Sequence, residues 1–241
     1  VTTRGLGGGI IAAGDGSRLR ADGFGMPKPL VPVGGIPLIE RALRNLLAVG
    51  VTAPVVIVNE QGWECVEWAR RRFPDVEVEF IVKTTRSSLE SFREVSGRLP
   101  AGRSVITTVD ACCPMEAFAR FVDTTLTRAS EASVLAVTPL IADENPLRVT
   151  VDRDGRIREL GGSSGTLATA GIYMLSERAR AAVPPPLPRL RDFLGWLLEQ
   201  GEPLYAESIE AVVDVDRASD VALAEALETG ENGEIVRGGT H

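Results

Sequence analysis

Gly9-Ile10-Ile11-Ala12-Ala13-Gly14-Asp15-Gly16-Ser17-Arg18-Leu19, continued by Met26-Pro27-Lys28-Pro29-Leu30-Val31-Pro32-Val33, is the stretch from which the fold of this 241-residue chain is read. The apolar run from Gly8 to Ala13 predicts a buried first strand. It breaks at Gly14 and Gly16 into a loop holding Ser17 and Arg18, and Lys28 follows between two prolines. Small residues let backbone N–H groups come close to an anion. A guanidinium adds a planar fork for phosphate oxygens, and an ammonium adds a compact charge. Together they read as a cradle for a nucleoside triphosphate (NTP).

Two other phosphate loops fit poorly. Gly9 and Gly14 have P-loop separation, but Asp15 stands where that loop needs lysine. A dinucleotide fingerprint on Gly7, Gly9 and Ala12 leaves no room for a preceding strand. On Gly14 and Gly16 it lacks the third small residue and the later acidic one.

Outward from this stretch the pattern alternates strand and helix. Apolar spacing predicts helices over 36–49, 64–73, 87–97 (with Ser87 as cap), 114–128, 190–200 and 218–228. Strands are expected at 53–58, 76–82, 104–109, 132–139 and 169–175, with a hairpin over 148–160 turning at Asp154-Gly155. The alternation indicates a Rossmann-like, three-layer α/β/α fold with a mixed but mostly parallel central sheet. In such sheets ligands bind beyond the carboxyl ends of the strands. The glycine loop, the Lys83-Thr84-Thr85 loop and Asp110 all fall there. A single domain is expected over 1–228, with a nucleotide-binding half to about 140 and an acceptor-binding half beyond it. Residues 229–241, glycine-rich and polar, are expected to form a flexible tail.

Composition narrows the function. A formal charge of −7 argues against nucleic acid as a partner, yet residues 1–30 carry a local balance of +2. An acidic protein with a basic loop suits a small polyanion. The sequence holds no apolar run of the ~20 residues needed to cross a bilayer and no leader-like start, so a cytoplasmic protein without membrane contact is expected. Nothing in the sequence specifies an oligomeric state. Three cysteines without metal-ligand spacing read as reduced thiols, and one histidine, the last residue, removes most triad and His–metal chemistries. Among 26 basic residues only Lys28 and Lys83 are lysines, and both fall in candidate site loops.

Asp110 ends a predicted buried strand, though a turn or helix-cap aspartate before Pro114 fits the local sequence too. Asp214 and Asp216 stand at another strand-to-helix junction, where either also fits an N-cap. Two carboxylates brought together from distant segments suit Mg²⁺, a hard cation that keeps waters beside phosphate oxygens.

The string Ile10–Leu19 with Pro27-Lys28-Pro29-Leu30-Val31-Pro32-Val33-Gly34 resembles the signature of the sugar-nucleotidyltransferase superfamily, which includes NDP-sugar pyrophosphorylases and MobA-like NTP transferases. Asp110, the Thr169-Ala170-Gly171-Ile172-Tyr173 strand and Asp214-Val215-Asp216 follow in family order. The resemblance implies an Mg²⁺-dependent nucleotidyltransferase in which an acceptor phosphate attacks the α-phosphorus of an NTP. Asp110 and Asp216 match the metal positions, with Asp214 ranked lower. Arg18 is assigned to the departing pyrophosphate and Lys28 to transition-state charge. Ile11, Ala12, Ala13, Gly14, Gly16 and Ser17, with Lys83, Thr84 and Ser87, are expected around the nucleotide. Arg148, Glu159, Thr169 and Gly171 are expected at the acceptor.

Two departures bear on substrate. The Gln…Gly-Thr-Ala base-recognition stretch is replaced by Lys83-Thr84-Thr85-Arg86-Ser87-Ser88, and the Asn-Thr-Gly sugar motif by Thr169-Ala170-Gly171. Three readings follow: activation of a sugar 1-phosphate as an NDP-sugar, which leads; a cytidylyltransferase for a non-sugar phosphate or phosphonate; and a catalytically silent nucleotide-binding regulator.

Overall fold

The computed structural model describes residues 5–140, 145–210 and 212–229. Of the tail expected over 229–241, Thr229 instead ends the last helix and the rest lies outside the described residues. The first half runs β1 (Gly7–Ala12), α1 (Ser17–Ala21), β2 (Pro32–Val33), β3 (Ile36–Pro37), α2 (Leu38–Ala48), β4 (Val55–Val58), α3 (Trp63–Arg72), β5 (Glu79–Val82), α4 (Ser88–Ser96), β6 (Ser104–Thr108) and β7 (Ala111–Cys112). It continues with α5 (Met115–Leu126), β8 (Ser133–Thr138), β9 (Arg148–Val151), β10 (Ile157–Leu160), β11 (Leu167–Leu175), α6 (Glu177–Ala181), α7 (Leu190–Glu199), β12 (Leu204–Ser208), β13 (Val213–Asp214) and α8 (Ala218–Thr229).

The main sheet follows the order β12-β8-β11-β6-β1-β4-β5, with the β9–β10 hairpin continuing along β11 beside β6. All of these main strands run parallel except β11, which is antiparallel to both neighbours. The sheet is mixed but mostly parallel, as expected. After β5 the chain returns to lay β6 on the other side of β1, so the winding direction reverses between β1 and β6. That reversal opens a crevice at the carboxyl ends of the two strands.

Alternation along the strands builds the three layers. Ile10, Ala12, Val56 and Val58 face a core made with α2, α3, α5 and α8, through Leu43, Val66, Phe118 and Val221. Ile11, Val55, Ile57 and Ile106 face the opposite core, made with α4, α6 and α7, through Phe92, Ala179 and Phe193. Cβ atoms at Gly8 and Gly9 would lie 2.7 Å from Val51 and 2.3 Å from Val95, so the glycines of β1 let both helical layers close on it.

Several boundaries differ from expectation for identifiable reasons. Ile36 and Pro37 pair with β2 as a hairpin before α2, because Gly34 and Gly35 take positive φ and turn the chain. Ser17 and Arg18 open the short helix α1 instead of lying in the loop, since Asp15 Oδ1 accepts from Ser17 N at 3.1 Å. The expected Ser87 cap is present, its hydroxyl accepting from Glu90 N at 3.2 Å. Strand β12, an edge strand of mixed exposure, has no clear periodic signal. No helix among the described residues is long and apolar enough to cross a membrane.

Candidate active site

The glycine loop leaves β1 and is held from the neighbouring strand: Asn59, just beyond β4, donates Nδ2 to Gly14 O at 3.2 Å. Arg20 donates back to Asp15 O at 2.8 Å. Gly16 then adopts φ 62°, and a Cβ there would sit 2.7 Å from Lys28 Cβ. Glycine at this position permits both the left-handed turn and the approach of the lysine segment. Gly16→Ala is therefore expected to cost about 1–2 kcal/mol of stability from backbone strain alone. Because it also displaces Lys28, it should lower turnover more than global stability; chemical denaturation and steady-state kinetics on the same preparation measure the two.

Lys28 begins a 3₁₀ turn over 28–30 and is 8% exposed. A buried ammonium requires partners. Its Nζ donates to Asp110 Oδ2 at 2.5 Å and to Asp216 Oδ1, while Arg18 Nη1 donates to Asp216 Oδ2 at 2.8 Å. Burial alone works against the lysine charge, but the attraction of Asp110 and then Asp216 outweighs it and raises the pKa above the ordinary lysine value. For Asp110 burial likewise opposes ionisation. Lys28, by charge and hydrogen bond, overcomes it and holds the carboxyl below its usual range. Two cations and two anions thus neutralise one another.

Short-range pairing brings these distant residues together. Val109 N donates to Ile11 O at 3.0 Å, prolonging the β1–β6 ladder up to Asp110. The two-residue strands β7 and β13 pair antiparallel, Val213 opposite Cys112 and Asp214 opposite Ala111. Asp110 O then accepts from both Cys112 N (2.7 Å) and Val215 N (3.0 Å). With Val215 fully buried, the chain presents Asp216 beside Asp110 and leaves Asp214 exposed. Asp220 in turn accepts from the N–H groups of Asp216 (2.9 Å) and Arg217 (2.8 Å).

Next to this cluster, in the β1–β6 crevice, lies a cavity of about 430 Å³. One wall is Ile11 to Asp15 with Lys28, another is Thr84 to Ser88 with Ser91, and the ends of β4 and β6 add Asn59, Gln61 and Thr108 to Asp110. A second cavity of about 310 Å³ continues past Gly14, Asp15 and Lys28 to Arg20 and Met26. Thr84 is braced by its hydroxyl to Glu60 Oε2 (3.1 Å), and the Thr85 and Ser91 hydroxyls lie 2.6 Å apart.

Not every expected residue gathers here. Gly16 and Ser17 support the loop without lining either cavity. Arg18 and Asp216 also line neither: Asp216 joins the site through its ion pair to Lys28, and Arg18 through its own to Asp216. Lys83 also lies outside both linings: its ammonium bonds Glu94 at 2.6 Å and Glu90 at 3.0 Å on α4, hydrogen bonds that raise its pKa. Arg148 donates to Gly165 O at 2.8 Å, and the Glu159 carboxylate lies against Gly162, on the β9–β10 side of the sheet. Thr169 N bonds Leu147 O at 3.0 Å. Gly171 has φ 70°, and a Cβ there would meet Thr108 Oγ1 at 2.5 Å and Ala111 Cβ at 3.1 Å. It packs beneath the turn carrying Asp110. The cysteines are buried and free, and burial pushes Cys65 and Cys113 up to about 12 and Cys112 to about 11, so they are poor nucleophiles.

Sequence reasoning missed Asn59 and Gln61. The available signal was their place just beyond β4, a strand neighbouring β1 in a parallel sheet. Among the described residues no group of three or more His, Cys, Asp or Glu side chains is arranged to hold a metal ion. Asp110 and Asp216 supply hard oxygen donors at one place, which fits Mg²⁺ provided that substrate phosphates and water complete its shell.

Similar proteins identify the family and the fold. A bifunctional IPC transferase and DIPP synthase of Rubrobacter xylanophilus is 30% identical over 94% of this chain and 52% of that protein. A CMP-5′-(3-aminopropyl)phosphonate synthase of Streptomyces rubellomurinus is 30% identical over 70% of this chain and 28% of that protein. The chain thus spans about half of the first relative and just over a quarter of the second. The inositol-1-phosphate CTP transferase of T. maritima superposes with a TM-score of 0.79 at 17% identity, covering 94% of this chain and 96% of that one, a likeness of fold. With residues 8–174 matching the MobA-like NTP transferase domain, a span that takes in the glycine loop, Arg18, Lys28 and Asp110, the chain belongs to that family.

Proposed function

We propose that this chain transfers a cytidylyl group from CTP to a small phosphorylated acceptor, a phosphate monoester or a phosphonate, and releases pyrophosphate. The observation that carries the reading is the linked cluster of Arg18, Lys28, Asp110 and Asp216, of which Lys28 and Asp110 line the cavity at the β1–β6 crevice. An acceptor oxygen attacks the α-phosphorus, the α–β anhydride bond breaks, and its electron pair leaves with pyrophosphate. A dianionic acceptor needs no base from the protein. Alignment and charge neutralisation suffice.

On this reading the self-neutralised cluster works by exchange. Lys28 and Arg18 turn from the carboxylates to phosphate oxygens of the arriving nucleotide. Asp110 and Asp216 would then hold Mg²⁺, which neutralises phosphate charge when bound. Ala12 to Gly14 and Thr85 to Ser88 enclose the base and ribose. Cytosine as the base, and an acceptor other than a hexose 1-phosphate, are favoured by two points. Two of the similar proteins are named for CMP or CTP chemistry on a phosphonate and on inositol 1-phosphate. Thr169-Ala170-Gly171 also lacks the amide of the sugar motif.

A panel of the four NTPs against sugar 1-phosphates, polyol phosphates and phosphonates, read by pyrophosphate release, tests the proposal. Turnover with CTP and a non-hexose acceptor is expected. Turnover confined to another NTP overturns the base assignment, and tight CTP binding without turnover across the panel makes the chain a binding protein.

The pH profile is expected to belong to the acceptor. Lys28 stays charged and Asp110 ionised across the neutral range, because the pair raises one pKa and lowers the other. With a phosphate monoester, log kcat/KM should rise with unit slope up to the acceptor's second pKa of ~6 and then level. An acceptor with a higher second pKa should move that limb upward by the same amount. A limb fixed across acceptors would implicate a protein group or the terminal phosphate of CTP instead.

A further inference from the structure

We infer that α8 is a splint that sets the spacing between the two charged arms of the site, with Asp22, Glu225 and Arg41 as positioning residues. The inference rests on the roles proposed for Lys28 and Asp216.

Lys28 rides on a segment bounded by α1 on one side and the β2–β3 turn on the other. Gly23, Gly25 and Met26 in its lead-in are exposed, and the two glycines have open space around them. Beyond Lys28 the segment is seated in the core by Val31 and Val33, and Leu38 N donates to Val31 O at 3.1 Å, so the loosely packed part is the Gly23–Met26 lead-in. Its two ends are both tied to α8. Asp22 Oδ2 accepts from Ala218 N at 2.9 Å, at the start of that helix. Two turns on, about 10 Å along the axis, Glu225 Oε1 accepts from Gly34 N at 2.8 Å. Arg41 adds a second tie at this end, joining Glu228 Oε2 (2.9 Å) to Val33 O through one nitrogen.

The other arm belongs to the same helix. Asp216 stands two residues before α8, and Asp220 inside α8 fixes its N–H. Val221 and Ala224 anchor the rod in the core. A helix that starts two residues after Asp216, fixes its N–H through Asp220 and ties both ends of the Lys28 segment sets where ammonium and carboxylate meet. It determines equally where they stand once a nucleotide has separated them.

The test is kinetic. In Asp22→Ala/Glu225→Ala, kcat for pyrophosphate release should fall on the order of 10- to 100-fold, as a displacement near 1 Å produces. KM for CTP should change by no more than about twofold, because the walls assigned to base and ribose, Ala12–Gly14 and Thr85–Ser88, are untouched. Asp22→Asn/Glu225→Gln keeps an acceptor oxygen at each tie and should restore kcat to within about threefold. A merely structural role would lower Tm and leave kcat per folded molecule unchanged in both. The single variants, expected to show intermediate losses, carry the test if the double variant does not fold. Wild-type kcat in the folded alanine variants overturns the inference. Lys28→Ala is assayed in parallel: if it is active, the proposed site fails; if it is inactive while the α8 variants are normal, the splint alone fails.

Discussion

Lys28→Ala is expected to lower kcat for pyrophosphate release by on the order of 10²- to 10³-fold while CTP still binds, the scale for removing one preorganised charge donor from a reacting centre. The ammonium is the most buried member of the cluster and meets both carboxylates. Removing it leaves Asp110 and Asp216 facing each other without the cation that separates them. Stability should fall as well. The penalty stays below the 3–5 kcal/mol typical of a broken buried pair, because both carboxylates reach solvent and Asp216 retains Arg18. A further consequence separates this account from a generic loss of structure. With the ammonium gone, the paired carboxylates should bind Mn²⁺ in the absence of nucleotide more tightly than the wild type does. Titration followed by electron paramagnetic resonance reads that directly.

Asp110→Asn is the second large effect. It keeps size and most hydrogen-bonding capacity but removes one of the two hard anionic donors, so kcat should drop on the order of 10²-fold or more. The apparent Mg²⁺ requirement should rise at least tenfold, equivalent to about 1.4 kcal/mol of binding. Partial recovery of turnover at high Mg²⁺ is expected, whereas Lys28→Ala should show none. Equal behaviour of the two variants in a metal titration would count against distinct roles for them. The asymmetry between Asp216 and Asp214 supplies an internal control. Asp214 is exposed and on the β13 ladder rung opposite Ala111, so Asp214→Asn should change kcat far less than Asp216→Asn.

What was legible in the sequence was what lies contiguous in it. The glycine loop, Lys28 between prolines, and Asp110 at the end of an apolar run each announce themselves by local chemistry. The parallel sheet then places them at one edge. Three-layer packing was legible for the same reason, since alternating faces of short apolar strands feed two separate cores.

Features set by a few non-local bonds were not legible. The ladder of β7 with β13 is two residues long on each side, too short for any period; the family resemblance ranks Asp216 above Asp214, while the ladder is what brings Asp216 to Lys28. Lys83 had the right place, past β5, and the wrong neighbours. Glu90 and Glu94, one helical turn apart on α4, take its charge. Arg148 and Glu159, expected at the acceptor, sit on a hairpin whose direction only the tertiary structure gives, Arg148 bonding Gly165 O and Glu159 lying against Gly162. Gly171, expected to touch the acceptor, packs against Thr108 and Ala111, and its positive φ explains why glycine stands there.

The most direct measurement is a crystal structure of the chain with Mg²⁺ and a non-hydrolysable CTP analogue. The account predicts cytosine between the Ala12–Gly14 backbone and the Thr85–Ser88 wall, the triphosphate drawn onto Lys28 and Arg18, and the metal on Asp110 and Asp216. A nucleotide bound elsewhere, with the Lys28–Asp110–Asp216 cluster still closed on itself, would contradict it.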